Sequence, residues 1–242
     1  MPRLDFLSSR QADLPLAFAL NLGRRDPALQ GALRKLHAGI VLAGRNEPVR
    51  TILLTSLGPR EGKTFTTLAL AQFVAATGRR VLVIECDLRR PAIAAALNVP
   101  ASTGLVDVLK GASAVRNVIV RTDTPNLDAI PAGQLNADSA ELLLGTPISQ
   151  IIHSAGPYDL VLLDGPPASP PIDACMLAKQ VDGVLCCTRW GSASLTGVAA
   201  TVSDIRASGG SVFGMAITMA KSEDHALYES TPAPAFARLR AS

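Results

Sequence analysis

The sequence is poor in the features that mark several classes of protein. Aromatic residues make up only 4% of its 242 residues although 48% are hydrophobic, so its core must be aliphatic. No apolar run approaches the length of a membrane-spanning helix, and the N-terminus shows no signal-peptide pattern. The net charge of +3, without a block of basic residues, argues against nucleic-acid binding. We therefore expect a cytoplasmic chain without direct membrane insertion, large enough for one α/β domain or two small ones.

The four cysteines predict neither a metal site nor a disulfide framework. Cys86, Cys186 and Cys187 lie in apolar strand-like runs, and Cys175 lies in an apolar helix-like stretch. Their spacing does not suit metal ligation, and the adjacent Cys186 and Cys187 must point to opposite faces of a strand. We interpret all four as reduced core residues of a cytosolic protein.

Strand-like and helix-like patterns alternate from residue 50 onward. Most strand-like segments are continuous apolar runs, which is typical of strands buried on both faces of a parallel sheet. They cover residues 50–56, 81–86, 126–130, 159–164, 183–189 and 211–218, with helix-like stretches at 63–77, 138–153, 172–180 and 195–207. The alternation predicts an α/β fold with a doubly wound, mostly parallel sheet flanked by helices.

The two ends of the chain differ from this central part. Residues 1–26 contain Pro2 and Pro15 and are expected to be an irregular segment, whereas residues 27–44 have the pattern of an amphipathic helix. Residues 221–242 are polar and contain prolines, which predicts a flexible tail. The predicted domain therefore spans residues 27–220.

The most informative segment joins the first predicted strand to the first long helix. Backbone N–H groups and a helix N-terminus can cradle a polyanion there, while Lys63 pairs with phosphates and Thr64 offers a hydroxyl to Mg²⁺. The expected nucleotide contacts are Gly58, Pro59, Arg60, Glu61, Gly62, Lys63, Thr64 and Phe65. The pattern G-x-x-x-x-G-K-[ST] would have glycine where Leu57 stands, so the alternative is a chance G-K-T in a surface turn.

Carboxylates end two other predicted strands. Glu85 and Asp87 close one strand, and Asp164 closes another. Ligands bind at the carboxyl ends of strands in open α/β sheets, where such carboxylates can hold Mg²⁺ or accept a proton from an attacking hydroxyl. As alternatives, the first pair caps the next helix or pairs with Arg89 and Arg90, and Asp164 only begins a proline turn.

These blocks, in this order and spacing, resemble the bacterial tyrosine autokinase family. Its members are cytoplasmic P-loop proteins or domains that work with polysaccharide co-polymerases in capsule and exopolysaccharide biosynthesis. The matching segments read TSLGPREGKT at 55–64, ECDLRRP at 85–91, GLVDVL at 104–109 and DGPP at 164–167. The resemblance covers about residues 30 to 219, and the family tolerates a non-glycine residue where Leu57 stands.

The resemblance implies a P-loop NTPase fold, the use of ATP and Mg²⁺, and tyrosine autokinase or ATPase activity. Carried over by position, Lys63 would hold the phosphates, and Thr64, Asp87 and Asp164 would serve the metal. Asp87 would also be the candidate base towards a tyrosine hydroxyl, and Glu85 replaces another catalytic family aspartate with a longer side chain. The implied partner is a transmembrane polysaccharide co-polymerase, which would recruit the chain to the inner face of the membrane.

Two departures concern phosphorylation and assembly. The family's tail carries a cluster of tyrosines, but here Tyr228 is the candidate phosphoacceptor, because Tyr158 precedes a core strand and is expected to be structural. The family motif E-x-x-R-x-x-R helps to build a homo-oligomer. It aligns here with Gly31, Arg34 and His37, of which His37 is expected to be an exposed helix residue.

A third departure concerns recognition of the adenine ring. The asparagine that often contacts adenine in the family is Thr218 here. Three functions compete: a tyrosine autokinase, an ATP/ADP-binding module that gates the co-polymerase without phosphorylating tyrosine, and a partitioning-type P-loop ATPase. The intact Lys63 and Asp87 favour the first, and the missing tyrosine cluster favours the second. The third class carries a signature lysine where Gly58 stands, which argues against it.

Overall fold

Within the residues that the computed structural model describes (16–24, 26–44, 47–145, 147–169 and 172–220), seven strands form one sheet. The strands are β1 Thr51–Ser56, β2 Val81–Glu85, β3 Val120–Arg121, β4 Leu127–Ile130, β5 Leu160–Asp164, β6 Gly183–Arg189 and β7 Val212–Thr218. They lie in the order β3-β4-β2-β5-β1-β6-β7, and all neighbours are parallel except β3 and β4. The predicted doubly wound, mostly parallel sheet is confirmed.

Helices cover both faces of the sheet. They are α1 Leu16–Gly23, α2 Pro27–Ala43, α3 Lys63–Ala75, α4 Ile93–Leu97, α5 Leu105–Leu109, α6 Val115–Val118, α7 Leu142–Gly145, α8 Ile148–Ala155, α9 Ile172–Ala178 and α10 Leu195–Ala207. The first four pack into one aliphatic core on one face, and the other six contribute to a second core on the opposite face. The arrangement explains the continuous apolar runs of the central strands, which are buried on both sides.

Helix α2 begins where its sequence predicts. Asp26 caps it by accepting hydrogen bonds on Oδ1 from the N–H groups of Ala28 and Leu29 (2.9 and 3.4 Å), and Pro27 occupies the first helical position. Its apolar face, which includes Leu33 and Leu36, is buried against α3. The helix therefore braces the element that carries the phosphate loop.

The structure corrects two predicted boundaries. Residues 1–26 were expected to be irregular, but α1 forms within them because Leu20 is buried in the first core. The helix expected over 138–153 is divided into α7 and α8, since Pro147 has an extended backbone and caps α8 from outside the helix. Residues 221–242, the predicted tail, lie outside the described residues.

Three of the four cysteines are confirmed as core residues. Cys86, Cys186 and Cys187 are free and buried, and Cys175 is half-buried against the second core. Burial raises the pKa of Cys186 and Cys187 to about 12 each, so these thiols stay protonated. In the part of the chain that the structure describes, no helix is both long and apolar enough to cross a membrane.

Candidate active site

The loop between β1 and α3 has the backbone geometry of an anion cradle. Gly62 precedes the first residue of α3 with a φ of +77°, and a Cβ at this position would come within 3.0 Å of Thr218 Oγ1. Both the left-handed backbone and the close approach therefore require glycine. No side chain caps the first turn of α3, so its N–H groups remain available to a phosphate.

Glu61 braces this loop from within. Its Oε2 accepts a hydrogen bond from the Gly58 N–H and its Oε1 from the Ser192 hydroxyl, both at 3.0 Å. The Thr218 hydroxyl donates to the Glu61 carbonyl oxygen at 2.8 Å. Residues from the ends of β6 and β7 thus hold the loop, and neither Ser192 nor this use of Thr218 carried a signal in the sequence.

Lys63 lies between two of the predicted carboxylates. Its Nζ is 3.2 Å from Asp87 Oδ2 and 4.0 Å from Asp164 Oδ1. Burial alone would lower the pKa of Lys63, but the carboxylates of Asp164 and Asp87 outweigh it and raise that pKa. The lysine therefore stays charged at neutral pH and can pair with a phosphate in place of a carboxylate.

Asp164 is fully buried and held by two hydroxyls of α3. Thr64 Oγ1 donates to its Oδ2 at 2.7 Å, and Thr67 Oγ1 lies 3.1 Å from its Oδ1. Burial raises the pKa of Asp164, whereas the Lys63 ammonium and the two hydroxyls favour its charged form. The sequence analysis did not identify Thr67, which lies one helical turn beyond Lys63 and therefore on the same face of α3.

Glu85 caps a helix, as one sequence alternative foresaw. Its Oε2 accepts hydrogen bonds from the N–H groups of Ala92 and Ile93 at 2.8 and 2.7 Å, at the start of α4. Among the described residues, its buried Oε1 has no hydrogen-bond partner. Burial and then the Asp164 carboxylate raise the pKa of Glu85 to about 8, so its side chain is mostly neutral at pH 7. These contacts support a positioning role over a role as base.

The raised pKa of Glu85 makes stability fall as pH rises. Between its ordinary value of 4.5 and about 8, the folded protein holds a proton that the unfolded chain has released. The free energy of unfolding should therefore decrease by up to about 1.4 kcal/mol per pH unit in that window. Urea unfolding of the parent and of Glu85→Gln across the window isolates this contribution, because the variant cannot titrate. Parallel pH profiles for the two proteins would contradict the assignment.

The other sequence alternative, in which Arg89 and Arg90 neutralise the carboxylates of Glu85 and Asp87, does not hold. Arg89 forms an ion pair with Asp173 on α9, with Nη2 2.9 Å from Oδ2, and the backbone N–H of Arg90 donates to Asp87 Oδ1 at 3.2 Å. Within the loop, Pro59 and Arg60 are exposed at its tip. The Phe65 side chain is buried in the first core, which leaves only its backbone to meet a ligand.

The side chains around Lys63 fit a magnesium ion. Thr64, Asp87 and Asp164 offer a hydroxyl and carboxylate oxygens, the ligands that Mg²⁺ prefers. Among the described residues, no group of three or more His, Cys, Asp or Glu side chains could form a protein-only metal cage. Mg²⁺ characteristically binds through one or two carboxylates, with phosphate oxygens and water completing its shell, so this sparse donor set suits it.

Known proteins share both the motifs and the fold. The model of the AAA domain family matches residues 58–209. The tyrosine-protein kinase wzc of Salmonella typhimurium is 31% identical over 76% of this chain and 26% of its own length. The tyrosine-protein kinase YwqD of Bacillus subtilis is 30% identical over 62% of this chain and 64% of its own length.

A solved structure shows the same architecture. The kinase domain of the Escherichia coli tyrosine kinase ETK superposes with a TM-score of 0.79 at 24% identity, covering 97% of this chain and 88% of that domain. The chain spans only about a quarter of the wzc relative, so it corresponds to one part of such a protein. Together, the family match and the relatives confirm the resemblance read from the motifs: the chain belongs to the AAA domain family and is a member of the bacterial tyrosine autokinases.

Proposed function

We propose that the chain binds Mg-ATP and transfers its γ-phosphate to a tyrosine hydroxyl, as the kinase part of a system that regulates capsule or exopolysaccharide polymerisation and export. The observation that carries this proposal is the ion pair of Lys63 with Asp87 beside the phosphate loop (3.2 Å). This contact supports the proposal, because Lys63 would bind a phosphate beside Asp87, the candidate base. The names of the relatives, which are tyrosine-protein kinases, support the reaction class.

Nucleotide binding follows from the loop and the charge of Lys63. The N–H groups at the start of α3 have no side-chain cap, and the ammonium can exchange a carboxylate for phosphate oxygens. When bound, Mg²⁺ would be held by Thr64 and Asp164 and would neutralise charge on the β- and γ-phosphates. The exposed Arg60 at the loop tip adds a further positive charge.

Asp87 can accept the proton that the reaction releases. The tyrosine oxygen forms a bond to the γ-phosphorus while the bond to the ADP oxygen breaks, and the phenolic proton passes to an Asp87 carboxylate oxygen. Asp87 is 4% exposed and held on Oδ1 by the Arg90 N–H. Its orientation is therefore fixed before a substrate arrives, which is the property that proton transfer requires.

Tyr158 is not suited to be the phosphate acceptor. Its hydroxyl donates to Asp128 Oδ2 at 2.9 Å, and its ring lies 5.0 Å from the Arg80 guanidinium carbon. Burial, followed by the contact with Asp128, raises the pKa of Tyr158 to about 12. The contacts support the structural role expected of Tyr158, and Tyr228, which lies outside the described residues, is the other tyrosine in the sequence and the candidate acceptor.

Tyr228→Phe should remove nearly all phosphotyrosine from the protein without changing its ATP affinity. The check is incubation with Mg²⁺ and γ-labelled ATP, followed by phosphosite mapping, with Tyr158→Phe as the matched control that should keep the signal. Persistent phosphotyrosine in Tyr228→Phe would assign the acceptor elsewhere. A parent protein that binds ATP but forms no phosphotyrosine would favour the alternative, a nucleotide-binding module that gates the co-polymerase.

Assembly with other copies would have to differ from that of the family. Of the positions aligned with the E-x-x-R-x-x-R motif, Arg34 is exposed, whereas His37 is half-buried with its ring edge against Phe73 at 6.1 Å between centroids. Burial, with a smaller effect of Arg79, lowers the pKa of His37, so it is neutral at pH 7. His37 therefore offers no cation to a neighbouring copy, and the proposed homo-oligomer would depend on Arg34.

A further inference from the structure

The carboxylate of Asp164 has three partners that stabilise its buried charge. Thr64 Oγ1 donates to Oδ2 at 2.7 Å, Thr67 Oγ1 donates to Oδ1 at 3.1 Å, and the Lys63 ammonium lies 4.0 Å from Oδ1. Asp164 and Thr67 are both fully buried, so bulk water does not replace a hydrogen bond lost between them. Because a buried carboxylate needs such partners, its orientation depends on these three groups.

Nucleotide binding would redirect two of these three partners. In the proposed function, Lys63 turns its charge to the phosphates, and Thr64 offers its hydroxyl oxygen to Mg²⁺. Thr67 has neither task, because it lies one helical turn into α3 and the other contact of its hydroxyl is the Lys63 carbonyl oxygen at 3.0 Å. Thr67 is therefore the partner that Asp164 can keep both before and after a nucleotide binds.

The hydroxyl of Thr67 has one proton for two acceptors. The distances to the Lys63 carbonyl oxygen and to Asp164 Oδ1 are nearly equal, at 3.0 and 3.1 Å. A charged acceptor forms the stronger hydrogen bond, by roughly a factor of two. The carbonyl oxygen is in addition the ordinary helical acceptor for the backbone N–H four residues later, so it does not depend on the hydroxyl. The proton is therefore best used on the Asp164 carboxylate.

We infer that Thr67 is a positioning residue for the magnesium site, whose hydroxyl fixes the orientation of the Asp164 carboxylate; the inference rests on the proposed binding of Mg-nucleotide. Groups that hydrogen-bond to a metal ligand typically contribute about 10- to 100-fold to metal affinity. Thr67 acts only through Asp164 and holds no phosphate. It should therefore set how strongly Mg²⁺ binds beside the nucleotide, and it should leave the affinity for the metal-free nucleotide unchanged.

Calorimetry with ADP, which avoids turnover, separates these two quantities. ADP affinity is measured in EDTA and over a series of Mg²⁺ concentrations, and the linkage between them gives the Mg²⁺ affinity of the ADP complex. Thr67→Val has nearly the same shape but no hydroxyl. Its ADP complex should bind Mg²⁺ about 10- to 100-fold more weakly than that of the parent, whereas its ADP affinity in EDTA should equal that of the parent.

Three further variants support the comparison. Thr67→Ser keeps the hydroxyl and should retain the Mg²⁺ affinity of the parent. Thr67→Cys, with a weakly donating thiol, should lie between Thr67→Ser and Thr67→Val, and these two donors carry the test if Thr67→Val does not fold. Thr201→Val, which alters a buried threonine in the middle of α10, is the matched control and should change neither affinity.

Each other outcome overturns a distinct statement. Equal Mg²⁺ affinity in the parent, Thr67→Cys and Thr67→Val would remove Thr67 from the magnesium site while leaving nucleotide binding intact. A loss of ADP affinity in EDTA as large as the loss in Mg²⁺ would show that the hydroxyl acts on the loop through the Lys63 carbonyl and not on Asp164. A parent protein that binds ADP equally with and without Mg²⁺ would overturn the proposed metal site, and one that binds no ADP would overturn the proposed function; this inference would fall with either.

Discussion

Lys63→Met is expected to lower the free energy of unfolding by about 3–5 kcal/mol, in addition to abolishing tight nucleotide binding. A phosphate-binding lysine on an exposed surface could be lost without harm to the fold. In the structure its side chain is 9% exposed and lies between the carboxylates of Asp87 and Asp164. Removing the ammonium leaves these buried charges uncompensated, and methionine has no group with which to replace it.

Two measurements check this prediction. Urea unfolding gives the stability of the variant, and calorimetry with Mg-ATP gives its affinity. Lys110→Met is the matched control, because Lys110 is exposed at the end of α5 and its loss should change stability by less than about 0.5 kcal/mol. If Lys63→Met were as stable as the control, the two carboxylates would not depend on the lysine, and the electrostatic account of the site would fail.

Asp87→Asn is expected to reduce phosphotransfer by about 10²–10⁴-fold while changing nucleotide affinity far less. Asparagine has nearly the same shape and can still accept the Arg90 N–H, so the loop after β2 should keep its conformation. It cannot accept the phenolic proton as a carboxylate does. Lys63 keeps a second partner in Asp164, which limits the cost to the unliganded site.

Single-turnover transfer from labelled ATP, measured beside ATP affinity, distinguishes the roles of Asp87. Asp204→Asn is the matched control, since Asp204 is exposed on α10 and should tolerate the change without effect on either quantity. Equal transfer rates in Asp87→Asn and the parent would leave Asp87 with a structural role. A fall in affinity as large as the fall in rate would make it a binding residue and not the base.

The elements that the sequence predicted correctly are those with a local signal. The central strands are apolar for several consecutive residues because both faces are buried, and the phosphate loop has a fixed spacing of glycine, lysine and threonine. The two-residue strand β3 could not be predicted, since it forms only by antiparallel pairing with β4. The short helices α4 to α6 likewise depend on their docking against the sheet and not on their own periodicity.

The part of the site that the sequence did not predict depends on contacts between residues that are distant in the chain. Ser192 and Thr218 reach Glu61 across 131 and 157 positions of the chain, and the sequence around a single hydroxyl does not predict such a contact. The burial of Lys63 and the raised pKa of Glu85 have the same origin. Both follow from the tertiary environment, which places Asp87 and Asp164 beside the Lys63 ammonium and buries Glu85 near the same carboxylates, and this cannot be read from residue types alone.

The central place of β1 in the sheet also bears on how the protein is made. β1 pairs with β5 and β6, with Thr51 opposite Val161 and Ile52 opposite Gly183, so the strand that carries the phosphate loop has no neighbour until β5 is made and lacks its second until β6 is made. During synthesis its apolar edges stay unpaired, and a nascent chain at this stage is a natural substrate for chaperones. A fragment that stops before β5 should consequently fail to form a nucleotide site at all, even though it contains every residue of the loop.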